Sequence, residues 1–373
     1  MASFIDEPFI ACVIVPTGIG ASVGGYAGDA GPALKLLSSV CDVMITHPNV
    51  ANGAGLFSLP ANGLYVEGYG LDQFFKGHWQ LQPVRSNRIG VLLDCGMPEE
   101  AKVIQKNTVN AVQAVLGLDI LTVQETRQPV QVSLSITETG ASSGDVLDIG
   151  SLIEDAQTLQ AQGAEAIALV VSLPETESNN YTGDSTGAYT EGQGVDPIGG
   201  IEAILSHTLV KALQIPVAHA PVFEDSLGQI ELSNIIHPKA AAESITPTFL
   251  PCVLQGLSRA PQFLRAPALG TKITLNLSHL DALVVPANAL GGMPTLTCLQ
   301  KGIPVIAVTE NTTVCDVRHP LWPQGNIWEA RTYFEACGFL QALRQGVPLP
   351  AERMVVPETD SGAYNLKSPL SLS

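Results

Sequence analysis

Residues 281–314 read DALVVPANALGGMPTLTCLQKGIPVIAVTENTTV. The stretch divides into an apolar run (Ala282–Val285), a turn with Gly291 and Gly292, a short helix to about Lys301, and a second apolar run (Val305–Val308). Strand, turn, helix and strand in this order, with both strand runs apolar throughout, make a parallel βαβ unit. The glycines stand where the helix begins. There the backbone N–H groups lack partners and the helix dipole is positive, so an anion can dock. The second strand runs into Glu310, Asn311, Thr312 and Thr313, and ligands of parallel sheets bind beyond the carboxyl ends of the strands. A carboxylate, an amide and two hydroxyls in succession are costly to bury unpaired. The expectation is that Glu310 and Asn311 contact a ligand, with Gly292 beneath it. The competing reading is that Asn311 and Thr312 cap a turn.

Two further phrases have the same form. FIACVIVP (residues 9–16) reads as a first strand, followed by a glycine-rich run with Gly24 and Gly25, a helix from about Pro32 to Ser39 and the strand DVMIT. Glycine permits positive φ and close backbone approach, which suits a loop cradling a ligand and equally a tight structural turn. The spacing is not a dinucleotide or P-loop fingerprint. In the third phrase Gly199 and Gly200 open the helix IEAILSHTLVKAL, which leads to the strand IPVAHAP. The three glycine pairs are expected to line one cleft.

Between these phrases, residues 56–86 hold Phe57, Tyr65, Tyr69, Phe74, Phe75 and Trp79 and read as a loop-rich packing segment. RIGVLLDCG is a strand, and Pro98–Leu116 is a helix with Glu99 and Glu100 in its first turn and Gly117 as its stop. VQVSLSIT reads as a strand, ETGASSGDV as a polar turn, Gly150–Gln162 as a helix and AIALVVS as a strand. Residues 174–197 are polar and rich in Gly, Ser and Thr, the composition of a flexible loop or a lid over the cleft. A last helix is expected near Ile327–Arg344. The fold expected is α/β, with largely parallel, Rossmann-like sheets and flanking helices, in two lobes or one large doubly wound domain. The divisions are residues 1–173 and 198–345, with 174–197 between them and 346–373 as a tail.

The chain has 373 residues, of which 46% are hydrophobic and only 14% charged, with a formal net charge of −17. That supports one large or two ordinary domains with a substantial core, and a subunit interface in a homo-oligomer would also account for sparse charge. The acidic balance argues against nucleic-acid partners, which need clustered Lys and Arg. No run of about twenty apolar residues suggests a membrane span. The N-terminus lacks a basic leader, and the seven cysteines form no CxxC pair. Both features fit reduced thiols and a cytoplasmic location, or the stroma of a plastid.

Three clusters follow strand ends: His47, Asn49 and Asn52; Glu202, His207, His219, Glu224 and Asp225; and Asn288, Glu310, Asn311 and Thr312. Histidine, amide and carboxylate groups in such loops suit acid–base work and ligand hydrogen bonding. Glu310, His47, His219 and Asp94 are the candidate catalytic residues. Gly24, Gly25, Asn49, Asn52, Gly199, Gly200, Asn288, Gly291, Gly292, Asn311 and Thr312 are the candidate ligand contacts. Glu202 and His207 are off the i, i+4 spacing of helical metal ligands, so no metal site is assigned, and no motif specifies a cofactor. Cys95 and Cys315 stand at strand ends as either thiol nucleophiles or small apolar fillers.

GGMPTLTCLQKGIPVIAV resembles the donor-site phrase of nucleotide-sugar glycosyltransferases of the two-Rossmann-domain type, with a departure at Cys298, where that family places an acidic residue for the ribose. ITHPNVANGA, GVDPIGGIEAILSH, HAP, VPANALGGMPTL and AVTENTTV together resemble a domain-of-unknown-function family found mainly in photosynthetic organisms. That resemblance implies a soluble cytoplasmic or stromal protein and supplies no activity. The leading expectation is an enzyme acting on a small anionic ligand, a phosphorylated metabolite or nucleotide derivative, with a glycosyl-type transferase as its specific form. The alternative is a non-catalytic ligand-binding or assembly protein with a large subunit interface.

Overall fold

The computed structural model describes residues 7–347 apart from 17, 24–29, 54, 174–194, 197, 224–234, 236, 243–244, 266–272 and 320–325. Gly24, Gly25, Glu224, Asp225, nearly all of residues 174–197 and most of the tail lie outside the described residues.

Two parallel sheets organise the chain. The first contains β1 (Ile10–Val13), β2 (Val43–Thr46), β5 (Gly63–Tyr65), β14 (Ala282–Pro286), β15 (Val305–Val308) and β16 (Ile327–Ala330). Counted along the chain from one to six, they lie in the order 3-2-1-4-5-6, with every pairing parallel. This is the doubly wound order of dinucleotide-binding folds, and its direction reverses between β1 and β14. The second sheet contains β7 (Ile89–Leu93), β8 (Ile120–Glu125), β11 (Ala166–Leu173) and β12 (Val217–Phe223), in the order 2-1-3-4, again all parallel. Its direction reverses between β7 and β11. Both sheets therefore draw strands from either side of residues 174–197.

Alternation along the strands assigns their faces. Ala11 and Val13, Ala282 and Val284, and Ile306 and Val308 enter one core, while Ile10 and Cys12, Leu283 and Val285, and Val305 and Ala307 enter another. The first of these cores also receives Ile89, Val91, Ala166, Ala168, Ala218 and Ala220 from the second sheet. It is thus shared by both sheets, and its many alanines let flanking elements approach closely. The helices α1 (Gly31–Ser38), α4 (Glu99–Leu116), α7 (Leu250–Ser258) and α9 (Tyr333–Arg344) contribute to it. Helices α3 (Gly68–Phe75) and α8 (Met293–Lys301) cover the outer face of the first sheet. Helices α5 (Ile149–Ala161) and α6 (Gly199–Leu213) cover the outer face of the second. A one-turn helix α2 (Pro48–Ala51) and the short pair β3 (Asn52–Gly53) and β4 (Leu56–Phe57) follow β2.

Three local expectations are corrected. Residues 56–86 are not mainly loop: they hold the third strand of the first sheet (β5), α3 and β6 (Gln80–Gln82), which pairs with β13 (Gln262–Leu264). VQVSLSIT is β9 (Gln131–Ile136), and the small residues of ETGASSGDV lead into β10 (Ser142–Leu147). The two form an antiparallel hairpin outside the parallel sheets, which packs Val132, Leu134 and Val146 onto α5 and α6. Its alternating pattern is that of a strand with one buried face. The last expected helix is present but shorter: Ile327–Ala330 form the strand β16, and α9 begins at Tyr333 behind the N-cap Thr332 and runs to Arg344.

Candidate functional site

The first sheet places its strand-order reversal, and so the expected ligand crevice, beyond the carboxyl ends of β1 and β14. Several loops converge there. The loop after β1 has positive φ at Gly18 and Gly20 (71° and 62°). A side chain on Gly18 would collide with Ser142 Oγ, so close approach as well as φ requires glycine here. The Gly18 carbonyl accepts from Ser142 N–H at 2.9 Å, and Ser142 Oγ in turn accepts from Gly200 N–H at 2.7 Å. The hairpin β9–β10 thereby stitches the loop after β1 to the start of α6. The amide of Gly200 is spent within the protein, and its Cα faces the Ser142 backbone.

On its other side the same loop is tied to TENTT. Ser22 N–H donates to Thr312 O, Thr312 N–H donates to Ser22 Oγ, and Ser22 Oγ donates to Glu310 O. Val23 N–H donates to Asn311 Oδ1 at 3.0 Å, while Asn311 Nδ2 donates to the Tyr333 hydroxyl at 2.8 Å. Asn311 is 1% exposed, and its side chain serves as a buried brace. Glu310 is exposed, and its Oε1 accepts the Tyr333 amide at the start of α9. Thr312 is also exposed, and only its backbone takes part in these bonds.

The loop after β14 packs against the same segment. Asn288 is buried, donates to the carbonyls of Thr313 and Cys315 and accepts from Thr313 Oγ1. Gly291 lies against Val317, and Gly292 is the N-cap of α8, with no side chain capping it.

The remaining candidates stand at the ends of β2 and β5. His47 is buried and its Nε2 accepts from Val15 N–H at 3.2 Å, directly under the loop after β1. Burial, with His207 nearby, lowers its pKa from 6.5 to about 4, so the ring is neutral. Asn49 is half-buried on α2, and Asn52 donates to the buried Tyr65 hydroxyl at 2.8 Å. Beyond β5, Glu67 caps α3: its Oε2 accepts from the amides of Tyr69 and Gly70. Its Oε1 lies 2.9 Å from His207 Nε2. Two turns of α6 carry the rest of this cluster. Ser206 is buried and bonds back to the carbonyls of Glu202 and Ala203, which rules it out as an exposed nucleophile. His219, on β12, has Nδ1 at 3.4 Å from Ser206 Oγ and Nε2 at 3.3 Å from Glu202.

Helix α6 unites these observations. Gly200 sits beside the loop after β1, and His207 sits on Gly68 after β5. The seven-residue interval spans about 10 Å of helix, which matches the two strand spacings from β1 through β2 to β5. The outer layer of the second sheet thus lays one helix along the carboxyl edge of the first sheet.

Asp94 belongs elsewhere. It is buried at the strand-order reversal of the second sheet, where its oxygens accept from the amides of Gly96, Val130 and Ser172. Burial raises its pKa, an effect opposed by those three amides. Cys298, at the position where the glycosyltransferase resemblance implies a ribose contact, is completely buried in the core, and burial pushes its thiol pKa up. All seven cysteines are free. Among the described residues no group of three His, Cys, Asp or Glu side chains could hold a metal ion.

A family model described as a protein of unknown function, DUF3326, matches residues 10–352. The chain belongs to this DUF3326 family. A relative, named an uncharacterised lipoprotein, from the cyanobacterium Synechococcus sp., is 42% identical over 335 residues, covering 90% of each chain. Among the described residues no helix is long and apolar enough to cross a membrane.

In this DUF3326 member Asn288 meets Thr313 of the TENTT segment and Cys315 after it, while Glu310, Asn311 and Thr312 bond to Ser22, Val23 and Tyr333. Glu67, Ser22 and Tyr333 lie outside the candidates that the sequence offers. Glu67 carries one local signal, an acceptor just before a helix start. Ser22 and Tyr333 carry none, because their partners lie far along the chain.

Proposed function

We propose that this chain is an enzyme that binds a small anionic metabolite, a phosphorylated compound or nucleotide derivative, along the carboxyl edge of its six-stranded sheet. The observation that carries this reading is the meeting of the loop after β1, the TENTT segment and α6 where the strand order reverses. The uncapped first turn of α8 at Gly292 supports anion binding there. Thr312 and the outward side of Glu310 are the side chains this reading assigns to the ligand, with Asn288 and Asn311 shaping the loop. A glycosyl-type transfer is the form to test first, by release of nucleoside diphosphate from nucleotide sugars.

The test is equilibrium binding of sugar phosphates, nucleotides and nucleotide sugars to the full chain and to Thr312→Asp. The exposed position makes the substitution harmless to folding, while its charge opposes an anion. At least one compound should bind, and Thr312→Asp should weaken it tenfold or more at an unchanged Tm. No binding from the panel, or equal binding by both proteins, refutes the reading.

A further inference from the structure

Three histidines stand near this edge, and their surroundings separate them. His47 is buried, its Nε2 is occupied by the Val15 amide, and with a pKa of about 4 it is a weak base. His219 is only 13% exposed, and both ring nitrogens have partners, Ser206 and Glu202. His207 is different. Its side chain is 44% exposed, Nε2 faces Glu67, and Nδ1 has no partner among the described residues. Glu67 is 4% exposed and is held by two helix amides, so it cannot swing away from the ring. Gly68 completes the seat: a side chain there would collide with His207 Nε2.

A buried, fixed carboxylate on one imidazole nitrogen and an open site on the other is the arrangement that orients a histidine for proton abstraction. We propose that His207, oriented by Glu67, is the general base of this cleft and takes a proton through Nδ1 from a hydroxyl of the bound metabolite. The inference rests on the reading above, that the cleft binds and converts such a metabolite. In the step, the ligand O–H bond breaks, its electron pair stays on oxygen, and the proton moves to Nδ1. The resulting imidazolium is stabilised by the carboxylate of Glu67, with Asp72 on the same helix α3. Burial lowers the pKa of His207, but Glu67 and Asp72 outweigh it and the net shift is upward. His47 is the nearby group of like character and stays uncharged.

Two measurements on the full chain test this. Imidazole nitrogen NMR, with the His207 signal assigned by its loss in His207→Gln, should find the neutral ring protonated on Nε2. Its pKa should fall in Glu67→Gln. A proton on Nδ1, or a pKa indifferent to Glu67→Gln, overturns the proposal. The second measurement is turnover of the compound found by the binding panel. His207→Gln should bind it within about threefold of wild type and lose about 10²–10⁴-fold in turnover. Gly68→Ala, which favours the helix but displaces the ring, should also lose turnover while His207 is still present. Binding and turnover that persist in both variants overturn the base assignment and leave the proposed function standing. A wild-type chain that binds nothing, or binds without turnover, overturns both.

Discussion

His47 makes an acid-stability prediction with a definite sign. Its pKa falls from 6.5 to about 4 on burial, so the folded protein binds this proton less readily than the unfolded chain. Stability from the neutral ring is therefore complete above pH 6.5 and is lost as pH falls from 6.5 towards 4. The loss is about 1.4 kcal/mol per pH unit in that window, or about 2 kcal/mol at pH 5 and about 3 kcal/mol at pH 4. His47→Gln isolates the effect, because a Gln oxygen can replace Nε2 as acceptor for Val15 N–H and cannot titrate. Urea unfolding of both proteins at pH 8 and pH 5 supplies the comparison, and carboxylates elsewhere cancel between them. At pH 8 the variant should be less stable, by about 1 kcal/mol for an imperfect hydrogen bond. At pH 5 it should be as stable as wild type or more so. An equal difference at both pH values would show that His47 titrates alike in the folded and unfolded states, and the buried, neutral assignment would fall.

Asn311→Ala should destabilise the protein by about 2–3 kcal/mol in urea unfolding, since it leaves the Val23 amide and the Tyr333 hydroxyl unpaired in a buried place. Glu310→Gln keeps an acceptor for the Tyr333 amide and should leave Tm nearly unchanged while weakening ligand binding by about 1–3 kcal/mol; a large fall in Tm with intact binding removes Glu310 from the site. Gly200→Ala drives a methyl group into the Ser142 backbone and should cost about 1–3 kcal/mol in thermal or urea unfolding, whereas an unchanged Tm would mean the hairpin is not seated on α6 as described.

The buried parallel strands were legible because burial on both faces leaves an uninterrupted apolar run. IACV, VIAV and AIALVVSL announce themselves in this way. Edge elements did not. GLY at 63–65 is three residues long inside an aromatic segment, and its membership of the first sheet is decided by pairing with β2 rather than by local pattern. Ile327–Ala330 lies directly before a well-capped helix and merges with it on inspection. The site divides similarly. The grouping at TENTT followed from chemistry within a few residues, but its anchors did not. Val23 and Asn311 are 288 positions apart, and Ser22 and Thr312 are 290 apart. No periodicity links residues at such separations, and only the topology brings them together.

The same topology would hold the proposed cleft in shape before any ligand arrives. Helix α6 belongs to the outer layer of the second sheet, yet Gly200 is hydrogen-bonded into the loop after β1 of the first sheet through Ser142, and His207 is seated on Gly68 beyond β5. A hinge that opened the two sheets would have to break both ends of this contact together. It would also have to expose the shared core, where Ala11, Val13 and Ala282 from one sheet join Ala166, Ala168 and Ala218 from the other. Domains joined by a large apolar interface do not move freely against one another. The orientation of His207 towards Glu67 is therefore a property of the resting fold, and the base proposed above would have its position set in advance by a helix, a capping carboxylate and a glycine.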